Sequence, residues 1–204
     1  MIKAIIFDFG RVISAQKPPS LFRGYEDDLG LEPGRLNQIM FGSEDWQETL
    51  LGRKTIEEFW YAIGPELGLN SRAKIDGFRR RYRSDEAANG GVLDLIHRLK
   101  GHYKLAVLSN APSGLSQWLA DWKMLDLFDT VFCSGDEGVV KPDPVAFQIT
   151  LERLGVKPNE AVFIDDTFEH VEASRKVGLH GLLFTTAEKL EDELWDLLGN
   201  IDRG

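Results

Sequence analysis

Two hydrophobic patterns alternate over most of the chain. Short apolar runs rich in β-branched residues occupy positions 2–7, 105–108, 130–133, 161–164 and 181–184. Such runs are typical of strands buried on both faces of a parallel sheet. Between them, apolar residues recur at helical spacing, as at Val92, Leu95, Ile96 and Leu99. The alternation predicts an α/β fold with a doubly wound, Rossmann-like parallel sheet.

One segment interrupts this alternation directly after the first predicted strand. From residue 15 to residue 88 we find no buried strand, only helical periods, which follow the turn at Pro18 and Pro19. Thr55 and Glu58 have the spacing of a capping box at a helix start. We therefore predict a core domain of residues 1–14 and 89–204, and a small helical cap domain of residues 15–88 inserted into it.

Composition narrows the possible partners and location. The chain has 204 residues, 24 of them basic and 33 acidic, which gives a net charge of −9 and makes nucleic acid an unfavourable partner. No apolar run is long enough to span a bilayer and no signal peptide is evident. The single cysteine, Cys133, excludes an internal disulfide and fits a reducing compartment, so we expect a cytoplasmic protein. Cys133 lies in a predicted strand, where a small buried side chain is expected.

Polar side chains follow three of the predicted strands, at the edge where ligands bind in open α/β sheets. These residues, with one lysine before a predicted helix, are Asp8, Ser109, Asn110, Lys141, Asp165 and Asp166. Three carboxylates at one place raise each other's pKa, and Mg²⁺ resolves that conflict while leaving positions for a substrate phosphate. Lys141 adds a positive charge, Ser109 can donate to phosphoryl oxygens, and Asp8 can attack phosphorus to form an aspartyl-phosphate that water hydrolyses.

In the same order, these residues resemble the four motifs of the haloacid dehalogenase superfamily, whose members are mostly phosphatases. The motifs are Phe7-Asp8-Phe9-Gly10, Leu108-Ser109-Asn110, Lys141-Pro142 and Phe163-Ile164-Asp165-Asp166. The resemblance covers nearly the whole chain. It implies that Asp8 is nucleophile and metal ligand, that Ser109, Asn110 and Lys141 bind phosphate, and that Asp166 contacts Mg²⁺ with Asp165 nearby or acting through water. It also implies that residues 15–88 form the cap that governs substrate choice.

A finer resemblance concerns the first motif and part of the predicted cap. Residues 7–12, with the segment around Trp46, Gly52, Thr55 and Phe59, are similar to a bacterial subgroup that includes sugar-1-phosphate phosphatases. The expected substrate is therefore a small phosphorylated metabolite, a sugar phosphate among the options.

Three positions depart from the family pattern. Gly10 stands where the family usually has an aspartate that acts as general acid and base; its carbonyl can ligate Mg²⁺, but it cannot transfer a proton. Arg11 replaces a small or amide residue, and is interpreted as either substrate-binding or solvent-facing. His170 replaces an asparagine and is expected at the surface or behind the site. The cluster Arg79 to Arg83 is either a solvated helix face or an attractor of anionic substrate.

The sequence thus predicts a Mg²⁺-dependent phosphatase, monomeric or homodimeric, with no nucleic-acid or membrane partner. Two alternatives remain open. A 2-haloacid dehalogenase uses the same fold and nucleophile without metal, although an uncompensated Asp165-Asp166 pair would be costly there. The second alternative is a catalytically weak regulator that binds a ligand through the cap. Gly10 favours this alternative, because glycine cannot transfer a proton.

Overall fold

A five-stranded sheet forms the centre of the protein. The computed structural model describes residues 1–199, and its strands are β1 Ala4–Phe7, β2 Lys104–Ser109, β3 Thr130–Cys133, β4 Ala161–Asp165 and β5 His180–Leu183. All neighbouring strands pair in parallel, in the order β3-β2-β1-β4-β5. The predicted α/β class and parallel sheet are confirmed.

Helices cover both faces of this sheet, as doubly wound folds require. They are α1 Pro19–Leu29, α2 Arg35–Phe41, α3 Glu44–Leu50, α4 Ile56–Ile63, α5 Arg72–Ser84, α6 Gly90–Leu99, α7 Leu115–Asp121, α8 Ser134–Glu137, α9 Pro144–Leu154, α10 Phe168–Val177 and α11 Ala187–Leu198. Ile5 and Phe7 of β1 belong to a hydrophobic cluster with residues of α6, α7 and α11, whereas Ala4 and Ile6 belong to a second cluster with α9. The strand is therefore buried on both sides, which explains its unbroken apolar sequence.

Helices α1 to α5 lie between β1 and α6 and have a hydrophobic cluster of their own. Ten buried side chains form it, all from residues 25–78, and aromatic rings are prominent among them. The capping box that Thr55 and Glu58 predict is present at the start of α4. This helical segment, residues 15–88, joins the sheet through two adjacent stretches, because the Ala15 N–H donates to Ala87 O at 2.7 Å and the Asn89 N–H to Ile13 O at 2.8 Å.

The helical segment also contacts the helices around the sheet away from this junction. The Arg83 guanidinium at the end of α5 lies 3.0 Å from Asp121 of α7 and stacks over the Trp118 ring at 5.4 Å. Gly52, between α3 and α4, has a φ of 69°, and a Cβ there would lie 2.0 Å from the carbonyl oxygen of Gly135 in α8. Two backbones therefore meet at this point with no room for a side chain. Among helices within residues 1–199, none has the length and apolar character needed to cross a bilayer.

Candidate active site

The carboxyl ends of β1 and β4 place the first and last motifs side by side. β1 pairs with β4 through Phe7 and Ile164, and the Asp8 N–H donates to Ile164 O at 2.8 Å. The chain changes direction across the sheet at this pair of strands, since β2 and β3 extend to one side and β5 to the other. Such a switch point is where open α/β sheets bind ligands. Asp8, Asp165 and Asp166 follow these two strand ends.

Lys141 connects the two strand ends. Its Nζ donates to Asp8 Oδ1 at 2.7 Å and to Asp165 Oδ2 at 2.6 Å, and its side chain is 1% exposed. Burial opposes the charged ammonium, but the adjacent Asp8 and Asp165 charges outweigh that effect and raise the pKa of Lys141 above its ordinary value. The lysine is therefore a buried cation beside Asp8.

Asn110 fixes the backbone that carries this lysine. Its side-chain Nδ2 donates to Lys141 O at 2.9 Å, and its Oδ1 accepts from the Lys141 N–H at 2.7 Å. These two bonds join the end of β2 to the loop before α9. The sequence predicts Asn110 as substrate-binding; in the structure both of its amide atoms bond to the Lys141 backbone, and the substrate-binding role stays a prediction.

Asp8 itself is enclosed. It is 6% exposed, and its pKa is raised above the ordinary value, chiefly by burial. The Lys141 charge lowers this pKa and the Asp165 charge raises it. Hydrogen bonds from Lys141 and Ser109 also lower it, because they favour the ionised form. Ser109, at the end of β2, is 2% exposed. A Cβ built on Gly10 would lie 3.7 Å from Asp8 Oδ2, so the turn after β1 passes close to the second carboxylate oxygen.

Asp165 is held from three directions. Besides Lys141, its Oδ1 accepts the Thr167 N–H at 2.8 Å, and His170 Nδ1 lies 3.1 Å from its Oδ2. Because an ionised carboxylate only accepts, Nδ1 carries the proton in this contact. Burial alone would raise the pKa of Asp165, but the Lys141 charge and the hydrogen bonds from His170 and Lys141 together lower it to about 2. His170 is thus a direct neighbour of Asp165, with a side chain that is 18% exposed.

Asp166 has a different partner. Its Oδ2 lies 2.9 Å from Arg11 Nε, and its side chain is 16% exposed against 59% for Arg11. Burial raises the pKa of the Asp166 carboxyl, while the Arg11 charge lowers it and the Asp165 charge raises it further. Since Lys141 and Arg11 pair with the two acids, the expectation that Asp165 and Asp166 lack compensation is wrong, and it does not argue against a dehalogenase.

The three carboxylates form a group that could hold a metal ion. One oxygen from each of Asp8, Asp165 and Asp166 lies within 4.8 Å of the others. Two cations, Lys141 and Arg11, leave this group one negative charge in excess. A hard divalent cation with oxygen ligands fits such a donor set. The predicted metal ligands are therefore brought together, and the carbonyl of Gly10 belongs to the turn beside them.

Other predicted residues fall outside this group. Of the arginine cluster, Arg81 pairs with Asp28 at 2.6 Å and Arg83 with Asp121. Cys133 is buried, with its Sγ toward the carbonyls of Ala111 and Pro112, and burial raises its pKa to about 11. That thiol is a packing group, as its position in a strand predicts.

Sequence reasoning missed Thr167 and the pairing of Arg11 with Asp166. Thr167 contributes its backbone N–H to Asp165, and no side-chain pattern signals such a contact. Arg11 has a φ of 61°, a conformation that few residues other than glycine adopt. The sequence signal for this unusual turn was an arginine at position 11, where the family has small or amide residues.

Comparisons with known proteins identify the family. A family model described as a haloacid dehalogenase-like hydrolase matches residues 2–178. The chain is 28% identical over 202 residues to sesquiterpene phosphatase astK of Aspergillus oryzae, covering 97% of each protein. It is 32% identical over 192 residues to (S)-2-haloacid dehalogenase 4A of Burkholderia cepacia, covering 88% of this chain and 81% of that protein.

Solved structures share the fold. A haloacid dehalogenase family enzyme of Bacteroides thetaiotaomicron, solved with magnesium and inorganic phosphate, aligns with a TM-score of 0.74 at 20% identity, covering 91% of this chain and 96% of that one. Two further matched relatives are longer proteins, of which this chain spans 37% and 19%. Since the family model matches most of the sequence, including all four motifs, the chain belongs to the haloacid dehalogenase-like hydrolase family.

Proposed function

We propose that this protein is a magnesium-dependent phosphatase of small phosphate monoesters, with Asp8 as nucleophile. The observation that carries the proposal is the grouping of Asp8, Asp165 and Asp166 around one point, with Lys141 buried against two of them. A phosphatase needs a nucleophilic oxygen, cations to offset the charge of a phosphate dianion, and exclusion of bulk water. The described residues supply each of these at the end of β1.

Each residue then has a defined task. Asp8 attacks phosphorus, the bond from phosphorus to the leaving oxygen breaks, and that oxygen departs with the electron pair. Lys141 and Ser109 hold the phosphoryl oxygens and the nucleophile in position. Water then hydrolyses the aspartyl-phosphate, which releases inorganic phosphate and restores the Asp8 carboxylate. Asn110 and His170 act indirectly, since they orient Lys141 and Asp165.

The metal would be held by Asp8, Asp166 and the carbonyl of Gly10, with Asp165 adjacent. When bound, magnesium supplies positive charge that draws phosphate oxygens toward Asp8 and offsets the repulsion among the carboxylates. The magnesium and phosphate bound to the Bacteroides enzyme of the same fold support this assignment.

The substrate class is a phosphate monoester on a small organic group. The helical segment of residues 15–88 is proposed as the cap that selects that group. Relatives differ in what their names say they act on, from a sesquiterpene phosphatase to a flavin mononucleotide hydrolase. A sugar phosphate remains one member of the class.

Phosphate release from p-nitrophenyl phosphate tests the proposal. We expect turnover with magnesium, loss of turnover with EDTA, and no turnover for Asp8→Asn in either condition. Because the amide is nearly isosteric and reduces repulsion with Asp165 and Asp166, the thermal stability of Asp8→Asn is expected to equal or exceed that of the natural chain. Turnover by Asp8→Asn near the natural rate would overturn the covalent mechanism.

A 2-haloacid dehalogenase is the second candidate, favoured by the Burkholderia relative and by the cation partners of Asp165 and Asp166. Chloride release from 2-chloropropionate, measured on the same preparation, separates the two. Chloride release that is insensitive to EDTA, without phosphatase turnover, would establish the dehalogenase. Ligand binding through the cap with neither activity would establish the regulator.

A further inference from the structure

Arg11 is held in an unusual position beside the candidate metal site. Its φ of 61° places it in the left-handed region, where an L-residue is disfavoured. The turn is fixed in part because the Arg11 N–H donates to Ser14 Oγ at 3.2 Å. This turn directs a largely exposed guanidinium to Asp166, whose carboxylate is mostly enclosed.

We infer that Arg11 competes with the divalent cation for Asp166 and makes its binding depend on an anionic ligand. A metal ion bound to Oδ2 would share that oxygen with Arg11 Nε, which lies 2.9 Å from it. An ion bound to Oδ1 would still share one carboxylate with the guanidinium, and two cations there repel each other. In either arrangement, Arg11 opposes the metal as long as it remains on Asp166.

An anionic ligand removes this opposition. The three carboxylates, Lys141 and Arg11 together leave one excess negative charge, so a bound divalent cation makes the site net positive. A phosphate dianion returns the site to one excess negative charge, and guanidinium groups suit phosphate because their donors form a planar fork. The Arg11 side chain is 59% exposed and can leave Asp166 without disturbing the core. This last step rests on the proposed function, since it takes the ligand to be a phosphate.

The consequence is a coupling between the two ligands. Magnesium alone binds weakly against Arg11, and magnesium with phosphate binds more tightly because Arg11 pairs with phosphate instead. By linkage, magnesium raises the affinity for phosphate by the same factor. Arg11 thus keeps the metal loosely held until a phosphate arrives, and then binds that phosphate.

Calorimetric titration of magnesium into the metal-free protein tests this inference. We expect Arg11→Gln to lower the magnesium Kd about two- to fivefold without phosphate, the range of an exposed ion pair. With saturating inorganic phosphate, we expect the magnesium affinity of the natural protein to rise. The magnesium affinity of Arg11→Gln should rise distinctly less. Arg153→Gln is the matched control, because Arg153 forms an exposed pair with Glu137 at 2.7 Å outside the candidate site. It should leave both values unchanged.

A second variant separates charge from geometry. Arg11→Lys retains the positive charge but not the planar fork, so its magnesium Kd without phosphate should stay near that of the natural protein while the gain from phosphate shrinks. Thermal melting with and without magnesium gives a readout independent of activity, since a ligand that binds more tightly raises the melting temperature further.

The outcomes distinguish this inference from the proposed function. If Arg11→Gln binds magnesium with unchanged or weaker affinity while phosphatase activity still needs magnesium, the inference is overturned and the function stands. An equal effect of Arg153→Gln would also overturn it, because the change would then reflect net charge alone. Absence of magnesium binding in every protein, with and without phosphate, would overturn both.

Discussion

Replacement of Lys141 by methionine gives the sharpest test of the electrostatics at the site. Methionine retains much of the apolar stem, so the change removes chiefly the charge that pairs with Asp8 and Asp165 at 2.7 and 2.6 Å. Removing one partner of a buried ion pair costs about 3–5 kcal/mol, because the other charge stays buried without compensation. We expect a loss of that size in the free energy of unfolding near neutral pH.

The stability of the natural protein and that of Lys141→Met should change with pH in opposite directions. In the natural protein the pKa of Asp165 is lowered from 3.8 to about 2. This shift corresponds to roughly 2 kcal/mol of stability. That contribution is present above the unfolded pKa of Asp165 and is lost as the pH falls through its folded pKa. In Lys141→Met, burial raises the pKa of both acids, so the folded state binds more protons than the unfolded state and the variant loses stability as the pH rises.

The assay is urea unfolding of both proteins at several pH values. The difference between them should be largest near pH 7 and shrink as the pH is lowered and the acids of the variant become protonated. Lys3→Met is the control, since Lys3 pairs with Glu160 at the surface and exposed pairs contribute only about 0–1 kcal/mol. A difference that stays constant across this pH range would refute the reasoning, because lost packing rather than charge would explain it.

Three further predictions concern neighbouring positions. Gly10 has a φ of −66°, and a Cβ there meets only Asp8 Oδ2 at 3.7 Å, so Gly10→Asp should fold. It should accelerate the hydrolysis of esters with poor leaving groups by up to the roughly 10²–10⁴-fold that general acid catalysis supplies. Rates over a series of leaving groups, with Gly10→Asn as control, check this. A shallow slope for the natural chain would show that another acid already acts. Asn110→Ala should lower kcat/KM and cost about 1–3 kcal/mol, because the Lys141 backbone loses both partners; unchanged kinetics would mean that the loop is held otherwise. Gly52→Ala should lower the melting temperature more than Gly68→Ala, since both have φ near 70° but only Gly52 faces a backbone oxygen, and equal losses would contradict the close contact with α8.

The parts of the site that the sequence predicts are those with local signals. Asp8 and the Asp165-Asp166 pair follow apolar strands, and parallel pairing of those strands brings their ends together. The lysine before α9 is recognisable because Asp143 and Pro144 mark the helix start that follows it. The strands and the helix starts could be predicted for the same reason, since burial on both faces and capping leave direct traces in the residue order.

The remaining features depend on backbone geometry and on contacts between distant segments. The Arg11 side chain pairs with Asp166 from a turn with a positive φ at position 11; an arginine there signals an unusual turn, but the residue order does not specify its partner. The partner of Asn110 lies 31 residues away, in a loop whose path is set by α8 and α9. The closeness of Gly52 and Gly135 arises from the packing of α3 on α8. Tertiary packing decides these contacts.

The junction at residues 13–15 and 87–89 has a consequence for how this protein can diversify. Entry and exit of the helical segment lie side by side, joined by backbone hydrogen bonds. A segment of different length or shape could therefore replace it while the order and pairing of the five strands stay the same. On the proposed function, the surface that selects the substrate and the groups that react would belong to separate parts of the chain, so exchange of a single insertion would redirect the same chemistry to another small phosphate monoester.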